Sequence, residues 1–157
     1  MGLEIERKWL VPALPAEVGA APSELIEQGY LVLGSDGSEA RLRRKSGRPV
    51  LTVKSGGGLS RAEHEVTLSE EQFVALWPAT EGRRLVKRRH RFGQIDVDVY
   101  EDALAGLIVA EVEFSSEADA AAFEVPAWFG QDVTDDRRYK NQQLAGQRTH
   151  PGAAPPG

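Results

Sequence analysis

Acidic and basic side chains recur at every second residue along this chain. In the opening run MGLEIERKWLV, Glu4, Glu6 and Lys8 alternate with Ile5 and Arg7. Further on, Arg41 and Arg43 flank Leu42, and Lys54 follows Thr52. Glu63 and Glu65 flank His64, Lys87 and Arg89 flank Arg88, Asp96 and Asp98 flank Val97, and Glu111 and Glu113 flank Val112. On extended backbone, residues two apart project from the same face. One such strand is simply a half-buried strand with a wet side. Repeated acid with acid and base with base, the pattern asks for more, because neighbouring like charges repel.

Curling the sheet into a barrel would turn these faces inward. Opposed acidic and basic walls are costly when empty, since their charges lose hydration. Filled, they make chemical sense. Carboxylates two apart on a strand have Cα atoms roughly 6.6 Å apart, within reach of one hard cation. Mg2+ and Mn2+ take such oxygen ligands and bridge to phosphates. Arginine forks match phosphate oxygens, and lysine adds a point charge. The residue types therefore imply a small, highly charged phosphate chain with a divalent metal.

The elements that must position these residues are mostly strands. Period-two runs predict strands over Leu3–Val11, Glu27–Leu33, Glu39–Lys45, Val50–Lys54, Arg61–Leu68, Arg84–Phe92, Gln94–Glu101 and Leu107–Phe114. Turn signals at GSDGS (34–38), SGRP (46–49) and SGGG (55–58) space the second to fifth of them as an antiparallel meander. Ser69 with Gln72 reads as a capping box opening a helix that carries Phe73, Leu76 and Trp77 on one face, limited by Pro78. Ser116 with Asp119 starts a second helix through Phe123, and Asp135–Leu144 reads as a third. Residues 146–157 are rich in Gly and Pro and read as a disordered tail.

The 157 residues suffice for one domain with a real core. There is no cysteine, which excludes disulfides and thiolate metal sites and suits a reducing compartment. No basic stretch leads into an apolar run at the start, and no apolar run approaches the roughly 20 residues of a membrane span. A cytoplasmic location without membrane contact is expected. The net charge of -5 and pI near 5.3 disfavour nucleic acid, while the basic strands remain able to hold a compact anion.

Glu4-x-Glu6-x-Lys8 followed by Trp9-Leu10-Val11 resembles the N-terminal signature of the CYTH domain, the triphosphate tunnel metalloenzymes. The similarity continues in order through Gln28-Gly29-Tyr30-Leu31, Arg41-Leu42-Arg43, Thr52-Val53-Lys54, Glu63-x-Glu65, Lys87-x-Arg89, Asp98 in DVDVYED and Glu111-x-Glu113. Val133-Thr134-Asp135 and Arg138-Tyr139-Lys140-Asn141 fit near the end, so the likeness covers about residues 2–145. It implies one domain over residues 1–145 and an α+β, mainly β fold, an eight-stranded antiparallel β-barrel forming a tunnel with helices outside. It implies that Glu4, Glu6, Glu63, Glu65, Asp98, Glu111 and Glu113 hold one or two divalent cations. Lys8, Arg41, Arg43, Lys54, Lys87 and Arg89 would grip the triphosphate. Glu4 and Glu6 would serve catalysis through the metal, and Lys87 would act as a base if the Tyr30 hydroxyl lies beside it.

Asp96 shares the parity of Asp98 as a weaker candidate, and Arg91 is set aside because the chain turns there. His64 and His90 fall on the outward face and read as structural or surface residues. The small size favours inorganic tripolyphosphate as substrate. A class IV-type adenylyl cyclase, a thiamine triphosphatase and a non-catalytic sensor of phosphate chains or nucleotides are the alternatives, with the protein a monomer or homodimer.

Overall fold

The computed structural model describes residues 5–55, 62–147 and 151. Glu4, Gly56, Gly57 and Gly58 of the third turn signal, Arg61 and most of the Gly/Pro-rich tail lie outside the described residues. Eight strands form one antiparallel sheet: β1 (Ile5–Leu10), β2 (Ser23–Leu33), β3 (Glu39–Lys45), β4 (Arg48–Ser55), β5 (Ala62–Thr67), β6 (Arg84–Phe92), β7 (Ile95–Tyr100) and β8 (Ile108–Phe114). Their spatial order is β1-β8-β7-β6-β2-β3-β4-β5. The expected mainly β fold is present, and β2 begins earlier than its apolar run suggests. The β3–β4 connection is a two-residue hairpin in which Ser46 and Gly47 both have positive φ (50° and 76°). That turn matches the twist of the flanking strands.

The ladder is curled but not closed. β1 and β5 are its edges, and among the described residues no strand pairing joins them. Glu6 on β1 and Glu63 on β5 nevertheless line one cavity. The exposed β5, with Glu63, His64 and Glu65, has the charged character that protects an open sheet edge.

Register fixes which charges share the inner face. Glu6 lies opposite Glu113 and Lys8 opposite Glu111. Asp96 pairs with Glu111, Arg89 with Asp98, Tyr30 with Arg41, and Lys54 with Glu63. His64 and His90 project outward, and His90 is buried there.

Four short helices pack around the sheet: α1 (Ala16–Gly19), α2 (Glu70–Leu76), α3 (Glu117–Ala122) and α4 (Asn141–Leu144). Ser69 and Gln72 make the expected reciprocal capping box on α2. The 3-10 turn Trp77–Thr80 follows it. Phe73 stacks on Trp77 with ring centroids 5.0 Å apart, and Arg44 and Arg84 lie over the two rings. Thr80 presses on Gly29 of β2 so closely that a Cβ there would sit 2.7 Å from the Thr80 Cβ. Ser116 caps α3 by accepting from the Asp119 N–H. The single helix expected over Asp135–Leu144 is instead a 3-10 turn (Arg137–Tyr139) and α4, separated by Lys140 in extended conformation.

Two apolar clusters hold the fold. The outer one joins Trp9, Val97, Ala110, Val112 and Phe114 to Val18 and Ala120, with Phe123 and Phe129 against Trp9. Burying each large side chain contributes about 1.5–3 kcal/mol. The second corrects the picture of a wholly charged interior. Leu85, Tyr100 and Val109 share inner-face parity with the charged residues, yet pack with Leu104, Leu107, Val133, Tyr139 and Leu144. One end of the inner face is thus apolar and sealed by the C-terminal segment. That segment is tied to β1, where Val133 N–H donates to the Lys8 carbonyl (2.9 Å) and Lys8 N–H donates to Thr134 Oγ1 (3.0 Å).

Candidate active site

The charged part of the inner face encloses a cavity of about 440 Å³. Glu6, Glu111 and Glu113 line one wall, from the adjacent strands β1 and β8. Carboxylate oxygens of these three residues lie within 4.8 Å of one another. Burial, and then the hydrogen-bonded Glu6 carboxylate, pushes Glu111 up to about 8. Burial also acts on Glu6, but its hydrogen bond with Glu111 and the charge of Lys8, whose Nζ lies 3.2 Å away, hold it below the ordinary carboxylate range. Three carboxylates this close together are a donor set suited to a hard divalent cation.

The facing wall is basic. Arg41 and Arg43 come from β3, Lys54 from β4 and Arg89 from β6. Burial, followed by the charges of Arg41 and Arg89, lowers Arg43 to about 10. Arg43 donates through Nε to Gln28 Oε1 (2.9 Å), and Gln28 Nε2 donates to the Tyr30 hydroxyl (2.7 Å). Tyr30 therefore accepts from Gln28 and keeps its own hydrogen for another partner. Burial and the charge of Glu39 raise its pKa, so it remains a phenol.

Behind this wall, Asp98 is buried to 1% exposure and accepts from Arg89 Nε (2.8 Å) and NH2 (3.0 Å). It also pairs with Lys87 Nζ at 2.8 Å. Burial would raise the Asp98 pKa, but Lys87 and Arg89 together hold it far below the usual range. Lys87 has no exposed surface, and desolvation lowers its pKa despite Asp98. Asp98 thus serves the fully buried Lys87 and the half-buried Arg89, and is not among the clustered glutamates. The tyrosine ring beside Lys87 is that of Tyr100, at 5.5 Å from Nζ, whereas the Tyr30 hydroxyl is engaged by Gln28. Glu63 lines the cavity from the far edge, while Glu65 accepts from Thr52 Oγ1 (3.3 Å) and faces a neighbouring hollow with Arg43, Lys45 and Arg48.

Several lining residues had no assigned role in the sequence. Glu39, at 4% exposure, sits 4.0 Å from Lys54 Nζ and accepts from Gln142 Nε2 at 3.4 Å. Lys140, Asn141 and Gln142 line the cavity from the start of α4. Glu39 shares the parity of Arg41 and Arg43, a signal that was legible. The α4 residues approach only through tertiary folding. A larger hollow of about 510 Å³ lies beside α3, but no basic residue lines it among the described residues.

No family model matches the chain. A curated inorganic triphosphatase from Nitrosomonas europaea is 48% identical over 148 residues, which cover 90% of this chain and 96% of that protein.

The chain belongs to the inorganic triphosphatase family.

A second inorganic triphosphatase, from Acetivibrio thermocellus, is 35% identical over 150 residues, covering 92% of this chain and 94% of the relative. The crystal structure of an inorganic triphosphatase superposes with a TM-score of 0.76 at 41% identity, covering 94% of this chain and 97% of that one. The likeness to inorganic triphosphatases thus extends through the C-terminal segment as well as the strands.

Proposed function

We propose that this protein is a metal-dependent hydrolase that cleaves the terminal phosphate of inorganic tripolyphosphate. The observation that carries the reading is a single cavity with three clustered carboxylates on one wall and Arg41, Arg43, Lys54 and Arg89 on the other. The clustered carboxylates suit a divalent cation and the arginine and lysine side chains suit phosphate oxygens, so a phosphate chain carrying a divalent cation matches both. Family membership supports the same substrate.

Glu6, Glu111 and Glu113 would hold the cation, with Glu4 and Glu63 as further oxygen donors. Mg2+ or Mn2+ held there would supply charge neutralisation for the phosphate chain and activation of the attacking water. Arg41, Arg43, Lys54, Lys8 and Arg89 bind the chain oxygens and stabilise charge as it develops, since phosphoryl transfer depends chiefly on positioning and electrostatics. Tyr30 lines the cavity as a hydroxyl donor, oriented by Gln28. We assign Lys87 to holding Asp98, and through it Arg89, because it is fully buried behind the wall.

The substrate is a small soluble molecule. The acidic net charge suits no nucleic-acid partner, and we place the protein in the cytoplasm as a monomer or homodimer. Among the described residues no helix is long and apolar enough to cross a membrane. The described lining residues offer no broad apolar shelf for adenine or thiamine. Product analysis on tripolyphosphate, ATP and thiamine triphosphate, each with Mg2+ and Mn2+, tests the reading. Preferential tripolyphosphate hydrolysis supports it, and cyclic AMP or thiamine diphosphate as the main product overturns it.

A further inference from the structure

Asn141 joins two parts of the site that otherwise do not meet. Its Oδ1 accepts from the Tyr100 hydroxyl at 2.7 Å and from Lys87 Nζ at 3.4 Å. Lys87 is a donor only, so the amide oxygen must be the atom that faces it. The Nδ2 group is thereby turned away from Lys87 and Tyr100. Asn141 also lines the charged cavity, whereas Lys87 does not. Among the described residues Nδ2 donates to no protein acceptor.

We propose that Asn141 is a positioning residue for Lys87 whose Nδ2 group also binds a phosphate oxygen of the substrate. The inference rests on the triphosphatase reading and adds a residue from outside the sheet strands to it. Side-chain chemistry supports both halves. A carboxamide is the one uncharged side-chain group that accepts from an ammonium at one end and donates two hydrogens at the other. Placed at the start of α4, it couples the C-terminal segment to the buried Lys87–Asp98–Arg89 group.

The test compares N141D and N141A with the wild type, using phosphate release from tripolyphosphate with Mg2+ and thermal unfolding. N141D keeps an oxygen acceptor for Lys87 and Tyr100 but replaces the two donors with a second acceptor. Hydrogen bonds to charged groups are worth factors of roughly 10 to 100, so KM should rise by about that factor while the melting temperature stays near wild type. N141A loses both halves and should raise KM and lower the melting temperature. Wild-type KM in a folded N141D overturns the proposal. A loss of kcat at unchanged KM in both variants also overturns it, since contact with the substrate would then be absent. Failure of the wild type to hydrolyse tripolyphosphate overturns instead the reading on which the proposal rests.

Discussion

Replacing Asp98 with Asn distinguishes an internal counterion from a metal ligand. In the wild type, Asp98 offers one oxygen to Arg89 Nε and the other to both Arg89 NH2 and Lys87 Nζ, with contacts of 2.8–3.0 Å. Both Asp98 and Lys87 are essentially without solvent contact. The substitution keeps the shape and removes the charge, leaving Lys87 buried without its anion. Breaking a buried pair in this way costs about 3–5 kcal/mol. At about 2–4 °C per kcal/mol for a domain of this size, the melting temperature should fall by about 6–20 °C. The measurement is thermal unfolding followed by circular dichroism at pH 7 in EDTA, so that metal plays no part. The pH dependence has a definite sign. Because the folded-state pKa is depressed, the stabilisation is whole above the unfolded carboxylate value of about 4 and is lost only as pH falls below it. The difference between wild type and D98N should therefore hold from neutral pH to about pH 5 and shrink under stronger acid. A D98N protein that melts within about 2 °C of wild type in EDTA, yet binds metal more weakly, would refute this assignment.

Three other substitutions probe separate links. E111Q removes one of the clustered carboxylates, and Mn2+ affinity by isothermal titration should fall on the order of tenfold or more, with the fold intact. G29A places a methyl group 2.7 Å from the Thr80 Cβ, and urea denaturation should show a loss of about 1–3 kcal/mol. S69A deletes the hydroxyl that accepts from the Gln72 N–H, and the same assay should show a loss of about 1 kcal/mol.

Much of this arrangement is legible in the sequence because strand parity is strict. Glu6, Lys8, Arg41, Arg43, Arg89 and Glu111 alternate with apolar or outward neighbours, and a curled sheet brings them into one cavity. Parity does not reveal which charges pair privately. Asp98 and Glu111 look alike in sequence, but register sets Asp98 opposite Arg89 and Glu111 opposite Lys8. Nor does it reveal where the charged face ends. Leu85, Tyr100 and Val109 continue the inward parity of their strands as an apolar plug. Asn141 was least legible, since it reaches Lys87 across 54 positions through the docking of α4. Two short helical turns on either side of Lys140 read as one helix, because the extended conformation of that residue leaves no mark in the sequence pattern.

The central claim is that the two charged walls together bind and split inorganic tripolyphosphate. Phosphorus NMR of the wild-type protein with tripolyphosphate follows this directly, with Mg2+ or Mn2+ in one sample and EDTA in another. The account predicts orthophosphate and pyrophosphate appearing in equal amounts, stopping when the metal is chelated. Tripolyphosphate that binds but stays intact in the presence of either metal would contradict it.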